Sequence, residues 1–169
     1  MKGKRIRWII LAAAVLCAGI FAAVRTRPQT LAEYSPETEA ALAQCTEIRG
    51  WYEVGNDRET REQVPFTIPR EDPRFDTLLT LVQSAAFRQP LFPRPRVNYV
   101  SPKEGDRHWE LGFYAPVAGL TQLDQTLALR NFYGNLELDA PSTAAPLECT
   151  AEDAWLDEVW GALEGAPAQ

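Results

Sequence analysis

Trp8–Val24 (WIILAAAVLCAGIFAAV) is an unbroken apolar run of 17 residues, and it governs how the rest of the chain is read. As a helix it is about 25 Å long, close to the least that spans a bilayer. Lys2, Lys4, Arg5 and Arg7 precede the run, Arg25 and Arg27 follow it, and no acid falls among the first 27 residues. The excess of basic groups before the run places the N-terminus in the cytoplasm. Trp8 stands where an interfacial aromatic anchors.

Two other fates compete with a retained anchor. A cleaved signal carries about 7–15 apolar residues and then a small-x-small site. Here the run is longer, and cuts after Ala22 or Ala23 put bulky Ile20 or Phe21 third from the cut. A lipid on Cys17 requires a small residue just before it, where Leu16 stands. The expectation is a single-pass protein of the cytoplasmic membrane, with secretion after cleavage as the alternative. Its parts are a basic tail over 1–7, an anchor over 8–24, a linker and short helix over 25–44, a domain over 45–165 and a tail over 166–169.

Beyond residue 27 the chain carries 11 basic against 23 acidic side chains, a net of −12. Such a domain repels phosphate backbones, so nucleic acid is not an expected partner. Hydrophobic residues make up 46% of the chain, enough for a packed core.

Ser35 and Pro36 supply a cap and a first helical position for a short helix over Glu37–Gln44. Thr46–Val54 alternates, with Ile48, Tyr52 and Val54 against Arg49, Trp51 and Glu53. Gly55-Asn56-Asp57 offers a turn, and Val64, Phe66 and Ile68 alternate again, which predicts a hairpin. Asp72 then Pro73 open a helix whose stripe is Phe75, Leu78, Leu79, Val82 and Ala86. Gln89–Arg96, with three prolines, predicts a stiff extended connection. Further strands are expected at Val97–Val100, His108–Ala115, Leu123–Asn131 and Leu136–Leu138. Ser101–Arg107 reads as a turn, and Tyr133-Gly134-Asn135 as a tight one. Ser142–Pro146 reads as a loop, and Thr150–Asp153 has the spacing of a capping box before a last helix striped by Trp155, Val159 and Leu163. The expected fold is α+β: a transmembrane helix, then a mostly antiparallel sheet of about six strands with two main helices on one face, in the order ββ-α-ββββ-α.

Motifs that carry chemistry are sparse. His108 is the single histidine. Glu104, Asp106 and His108 alternate and could face a hard cation, but a turn and a strand start make a solvated face the plainer reading. There is no nucleophile elbow, and neither main helix is preceded by a phosphate-cradling glycine turn. Paired carboxylates are unmarked among the acids. No catalytic residue, metal or cofactor is therefore assigned. Cys45 and Cys149 flank the domain, and a bond between them would close a loop of about a hundred residues, stabilising by roughly 4–5 kcal/mol. The alternative is two buried thiols. Arg70, Arg74, Arg88, Arg94 and Arg96 bracket the first main helix as a possible anion or partner patch, against the alternative that they pair with neighbouring acids. Pro90-Leu91-Phe92-Pro93 fits a proline ligand motif, which the stiff connection explains equally well.

With the Phe66–Pro73 segment (FTIPREDP) and the Gly134–Leu138 hairpin (GNLEL), the chain resembles small membrane-anchored exported domains of Gram-positive bacteria. The resemblance is one of outline, it departs from the lipid-bearing members at Cys17, and it implies no activity. The expected role is a non-enzymatic binding or accessory module outside the membrane. The membrane is engaged through residues 8–24, with an envelope or membrane protein as partner. The alternatives are a small envelope hydrolase using paired carboxylates, aided by His108, and a domain that senses a small ligand.

Overall fold

Side-chain alternation builds the centre of the sheet as expected. The structure, a computed structural model, describes residues 2–55, 60–91, 107–117, 122–132, 135–141, 146–150 and 153–164. Strands β2 (Glu47–Val54) and β3 (Glu62–Pro69) pair antiparallel from Glu47↔Pro69 to Val54↔Glu62. Gly55 leaves β2 with φ +112°, a conformation that side chains rarely adopt, and Asn56 and Asp57 of the expected turn lie outside the described residues. β5 (Trp109–Pro116) pairs with the other side of β2, β6 (Leu123–Phe132) pairs with β5, and β7 (Asn135–Asp139) returns along β6. Phe132 pairs with Asn135, so the β6–β7 hairpin is the tight one predicted.

Three short strands raise the count above the expected six. These are β1 (Gln29–Thr30), β4 (Ala86–Arg88) and β8 (Leu147–Cys149). Among the described residues the sheet has eight strands in the order β1-β4-β8-β7-β6-β5-β2-β3, every neighbouring pair antiparallel. The expected strand at 97–100 lies outside the described residues, as do 92–96 of the proline-rich connection, 101–106 of the following turn, and 142–145 of the later loop.

Among the described residues four helices pack on the sheet, namely α2 (Leu31–Tyr34), α3 (Pro36–Leu42), α4 (Pro73–Ser84) and α5 (Asp153–Glu164), where two main helices and a short one over 37–44 were expected. Residues 25–44, expected as a linker with a short helix, are instead largely part of the fold. Thr30 and Glu33 form a capping box on α2, Ser35 caps α3, and Leu31 and Leu42 are fully buried. In α4, Asp72 caps with its side chain and Pro73 occupies the first turn, as predicted. The helix ends earlier than its stripe implied. Ala85 is extended, and Ala86 joins β4 because Phe87 fits a fully buried sheet position between β1 and β8.

Ile48, Tyr52, Phe66, Ile68, Trp109, Leu111, Phe113, Leu127, Leu129, Leu138 and Leu147 point to one face and join a single core with buried residues of all four helices. Phe75 of α4 stands edge-on to Phe113 at 6.4 Å, and Trp160 of α5 to Tyr52 at 5.8 Å. Gly50 makes room for the ring of Phe66, since a Cβ there would lie 2.9 Å from Phe66 Cζ and overlap the Glu110 carbonyl. Helix α1 (Lys2–Arg25) stays apart from this core. Its Ile6–Arg25 segment is long and apolar enough to cross a membrane, and none of it is buried.

The long edge of the sheet is β3. Arg70 N–H donates to Thr46 O at 2.9 Å and continues the ladder, so even-numbered residues of β3 turn their main-chain groups toward β2. Pro65 and Pro69 therefore face the open edge, where each removes a donor that an incoming strand would need.

Candidate functional site

The face of the sheet opposite the helices carries the domain's most organised polar groups. A cross-strand row runs Trp51, Glu110, Arg130, Glu137, Glu148, Arg88, each directly opposite the next. Arg130 Nε lies 3.1 Å from Glu110 Oε1, Arg130 Nη1 3.4 Å from Asp139 Oδ2, and Arg88 Nε 2.9 Å from Glu148 Oε2. Opposite charges placed across strands stabilise the pairing by roughly 0.2–1 kcal/mol each. Arg49 lies over the Tyr114 ring at 5.1 Å and pairs with Glu47.

At one end of this face the polar groups become buried. His108 sits just before β5, and Glu53 N–H donates to its carbonyl at 2.9 Å. The His108 side chain is 3% exposed, Arg61 9% and Glu53 19%. Glu53 Oε2 lies 2.9 Å from His108 Nδ1 and 3.1 Å from Arg61 Nη1. A guanidinium only donates and a carboxylate only accepts. Arg61 thus donates to Glu53, and its Nη1 also lies 3.1 Å from His108 Nδ1, so the three groups meet in one cluster. The cluster ties the β2–β3 hairpin to the start of β5. It also sets a carboxylate against a ring nitrogen of His108, a pairing that can shift when a histidine changes charge. Sequence reasoning singled out His108 but not its partners, because the contact joins residues 55 positions apart.

The predicted arginine patch is not one patch. Arg70 lies 3.3 Å from Asp76 and over the Phe75 ring at 4.5 Å, Arg74 pairs with Asp72, and Arg88 with Glu148. Arg70 and Arg74 flank the start of α4 while Arg88 lies beyond its end, about 18 Å away along the helix. Arg94 and Arg96 lie outside the described residues. The Arg74 guanidinium and main-chain N–H beside Asp72 hold its carboxyl well below the usual range, at about 2.

Cys45 and Cys149 are not brought together and are not joined by a disulfide. Cys45 is buried, its Sγ 3.7 Å from Ala41 O, and burial pushes the thiol's pKa up against the opposing effects of Thr126 and Arg70. Thr126 belongs to β6, and Cys149 is on β8, two strands further along the sheet. The ladder offsets the two cysteines by about 10 Å across the strands and by several residues along them, beyond disulfide reach.

Among the described residues no group of three or more His, Cys, Asp or Glu is placed to hold a metal ion, and Glu104 and Asp106 lie outside them. An open groove of about 350 Å³ lies between α3 and the β5–β6 pair, lined by Glu37, Thr38, Asp124, Gln125 and Thr126 among others. A second, of about 390 Å³, lies between α4, β4 and α5, beside Trp155 and Glu158. Between sheet and helices, where the alternative of a ligand-sensing domain would place a small apolar ligand, stand fully buried side chains such as Trp109, Phe66, Phe75 and Phe113. Compared with known proteins, the chain matches no family model, no curated protein and no solved structure.

Proposed function

We propose that this chain is a single-pass, membrane-anchored module that works by binding, its domain held outside the cytoplasmic membrane as an accessory to an envelope or membrane protein. The observation that carries the reading is the anchor: Ile6–Arg25 is apolar, unburied, and followed after Thr26–Pro28 by the first strand of the domain. A helix with that much uncovered apolar surface is stabilised by lipid. The basic residues before it support an inside N-terminus. The binding role is supported by the pairing of the described arginines of the open face with acids, which makes that face a preformed, rigid surface.

Membrane fractionation with an alkaline wash, combined with protease treatment of cells bearing a C-terminal tag, tests the reading. The full-length chain should stay in the pellet, and external protease should remove the tag. A soluble chain starting near Val24 would identify a cleaved signal instead. In-cell crosslinking from the same membranes should then recover one stoichiometric partner.

A hydrolytic role is the second reading, favoured by the 2.9 Å approach of Glu53 to His108. Esters, peptides and glycosides offered to the purified protein and to His108→Gln test it. Turnover lost in the variant would support it, and no turnover by either protein would count against it.

A further inference from the structure

The join between anchor and domain leaves little freedom. Thr26 donates from both its main-chain N–H and its Oγ1 to Ala22 O, at 3.0 and 2.9 Å, so the last helical turn is closed at Thr26. Only Arg27 and Pro28 then separate it from β1, and proline fixes its own φ. β1 pairs with β4 through Gln29↔Phe87 and Thr30↔Ala86. The same antiparallel register, continued outward, carries Pro28 and Arg27 alongside Arg88 and Gln89. Arg25 and Arg27 are exposed, and Arg88 remains 45% exposed although it pairs with Glu148. Leu91, close by in sequence, is 44% exposed.

The acids near this corner are engaged: Glu33 accepts from Thr30 N–H at 3.0 Å, and Glu148 from Arg88. Further along the same end of the sheet stand carboxylates of the opposite tendency, namely Asp139 of β7, Asp124 of β6 and Glu37 of α3. Laying that whole end on an anionic surface would press these acids against like charge. Standing on the corner alone presents Arg25, Arg27 and Arg88 and sets β7 and β6 two and three strand spacings, about 10 and 14 Å, to the side, where 0.1 M salt screens charge over about 10 Å.

We infer that the domain stands on the bilayer by its β1–β4 corner, with Arg25, Arg27 and Arg88 engaging the phosphates of anionic phospholipid headgroups. The inference rests on the retained-anchor reading and adds an orientation and a ligand chemistry to it. Guanidinium groups suit the ligand because they bind phosphate oxygens in pairs. The β3 edge is then the far side, seven strand spacings or about 34 Å away across the sheet.

The test uses the full chain in vesicles of phosphatidylcholine with or without phosphatidylglycerol, doped with lipid bearing a nitroxide on its headgroup. A small dye is placed, through a non-natural amino acid, at Val24, Leu91 or Thr67 in separate preparations. With phosphatidylglycerol, the dyes at Val24 and Leu91 should lose most of their intensity while that at Thr67 keeps it. The Leu91 quenching should fall several-fold in phosphatidylcholine alone, in high salt, and in the variant combining Arg25→Glu with Arg27→Glu. If Val24 is quenched but Leu91 and Thr67 behave alike, the anchor stands and the seating is wrong. If Leu91 quenching ignores lipid charge and salt, the headgroup chemistry is wrong. If Val24 is not quenched, the anchor reading fails and the seating with it.

Discussion

At the scale of single residues, two acids illustrate different ways of holding a charge. Glu53 gathers His108 and Arg61, and both of those side chains are almost wholly buried. Glu53→Ala would remove the carboxylate that lies against both, and chemical denaturation should show a loss of about 3 kcal/mol. A double-mutant cycle with His108→Gln should show strong non-additivity. Asp72 caps α4 and binds Arg74 at the surface, so Asp72→Ala should cost only about 1 kcal/mol at neutral pH. Its carboxyl is held near 2 against an ordinary 3.8, a depressed value, so its stabilisation is complete above the unfolded pKa and is lost as pH falls through the folded one. The gap between wild type and Asp72→Ala in thermal unfolding should accordingly be constant down to about pH 4 and shrink toward pH 2. The cap was legible from Asp72-Pro73 alone, because its partners lie within two residues. The Glu53 cluster was not, because it exists only once β2 and β5 are paired.

The same division holds for whole elements. β2, β3, β5, β6, β7, α4 and α5 were readable because each is long enough to show a period of two or of 3.6 in its own residues. β1, β4 and β8 have two or three residues apiece, too few to show any period, and are strands only because neighbours supply their hydrogen bonds. Ala86 even matched the helical stripe of α4, and pairing with β1 and the packing of Phe87 overrode it. The β3 edge carries a prediction of its own. Replacing Pro65 and Pro69 together by Thr restores donors along the open side of an eight-residue strand. Unfolding temperature should change little, whereas light scattering or analytical ultracentrifugation should detect concentration-dependent self-association that the wild-type domain lacks.

For the molecule as a whole, the boundary of the folded unit is the point where structure and sequence part most usefully. Removing residues 1–27 should leave a soluble domain with cooperative unfolding, since Gln29 begins the sheet. Removing residues 1–44 discards β1, α2 and α3, with Leu31 and Leu42 fully buried. Each such loss costs about 2–5 kcal/mol, so that shorter domain should give no cooperative transition by circular dichroism. The short helix α3 was legible from Ser35 and Pro36, but residues 25–34 read as a linker because their segments are brief and the buried Leu31 carries no periodic signal.

The closed turn at Thr26 and the short run through Arg27 and Pro28 also bear on how any partner is met. A domain on a long flexible leash searches a volume and gives up that freedom when it docks. This one has almost no leash. On the proposed anchor it would sweep a thin layer, no deeper than its own breadth of about 40 Å, and would diffuse in two dimensions with that anchor. Little orientational entropy remains to be lost in a complex with another membrane-embedded component. Modest contacts with such a neighbour would therefore suffice, while a freely diffusing protein of equal surface complementarity would bind more weakly.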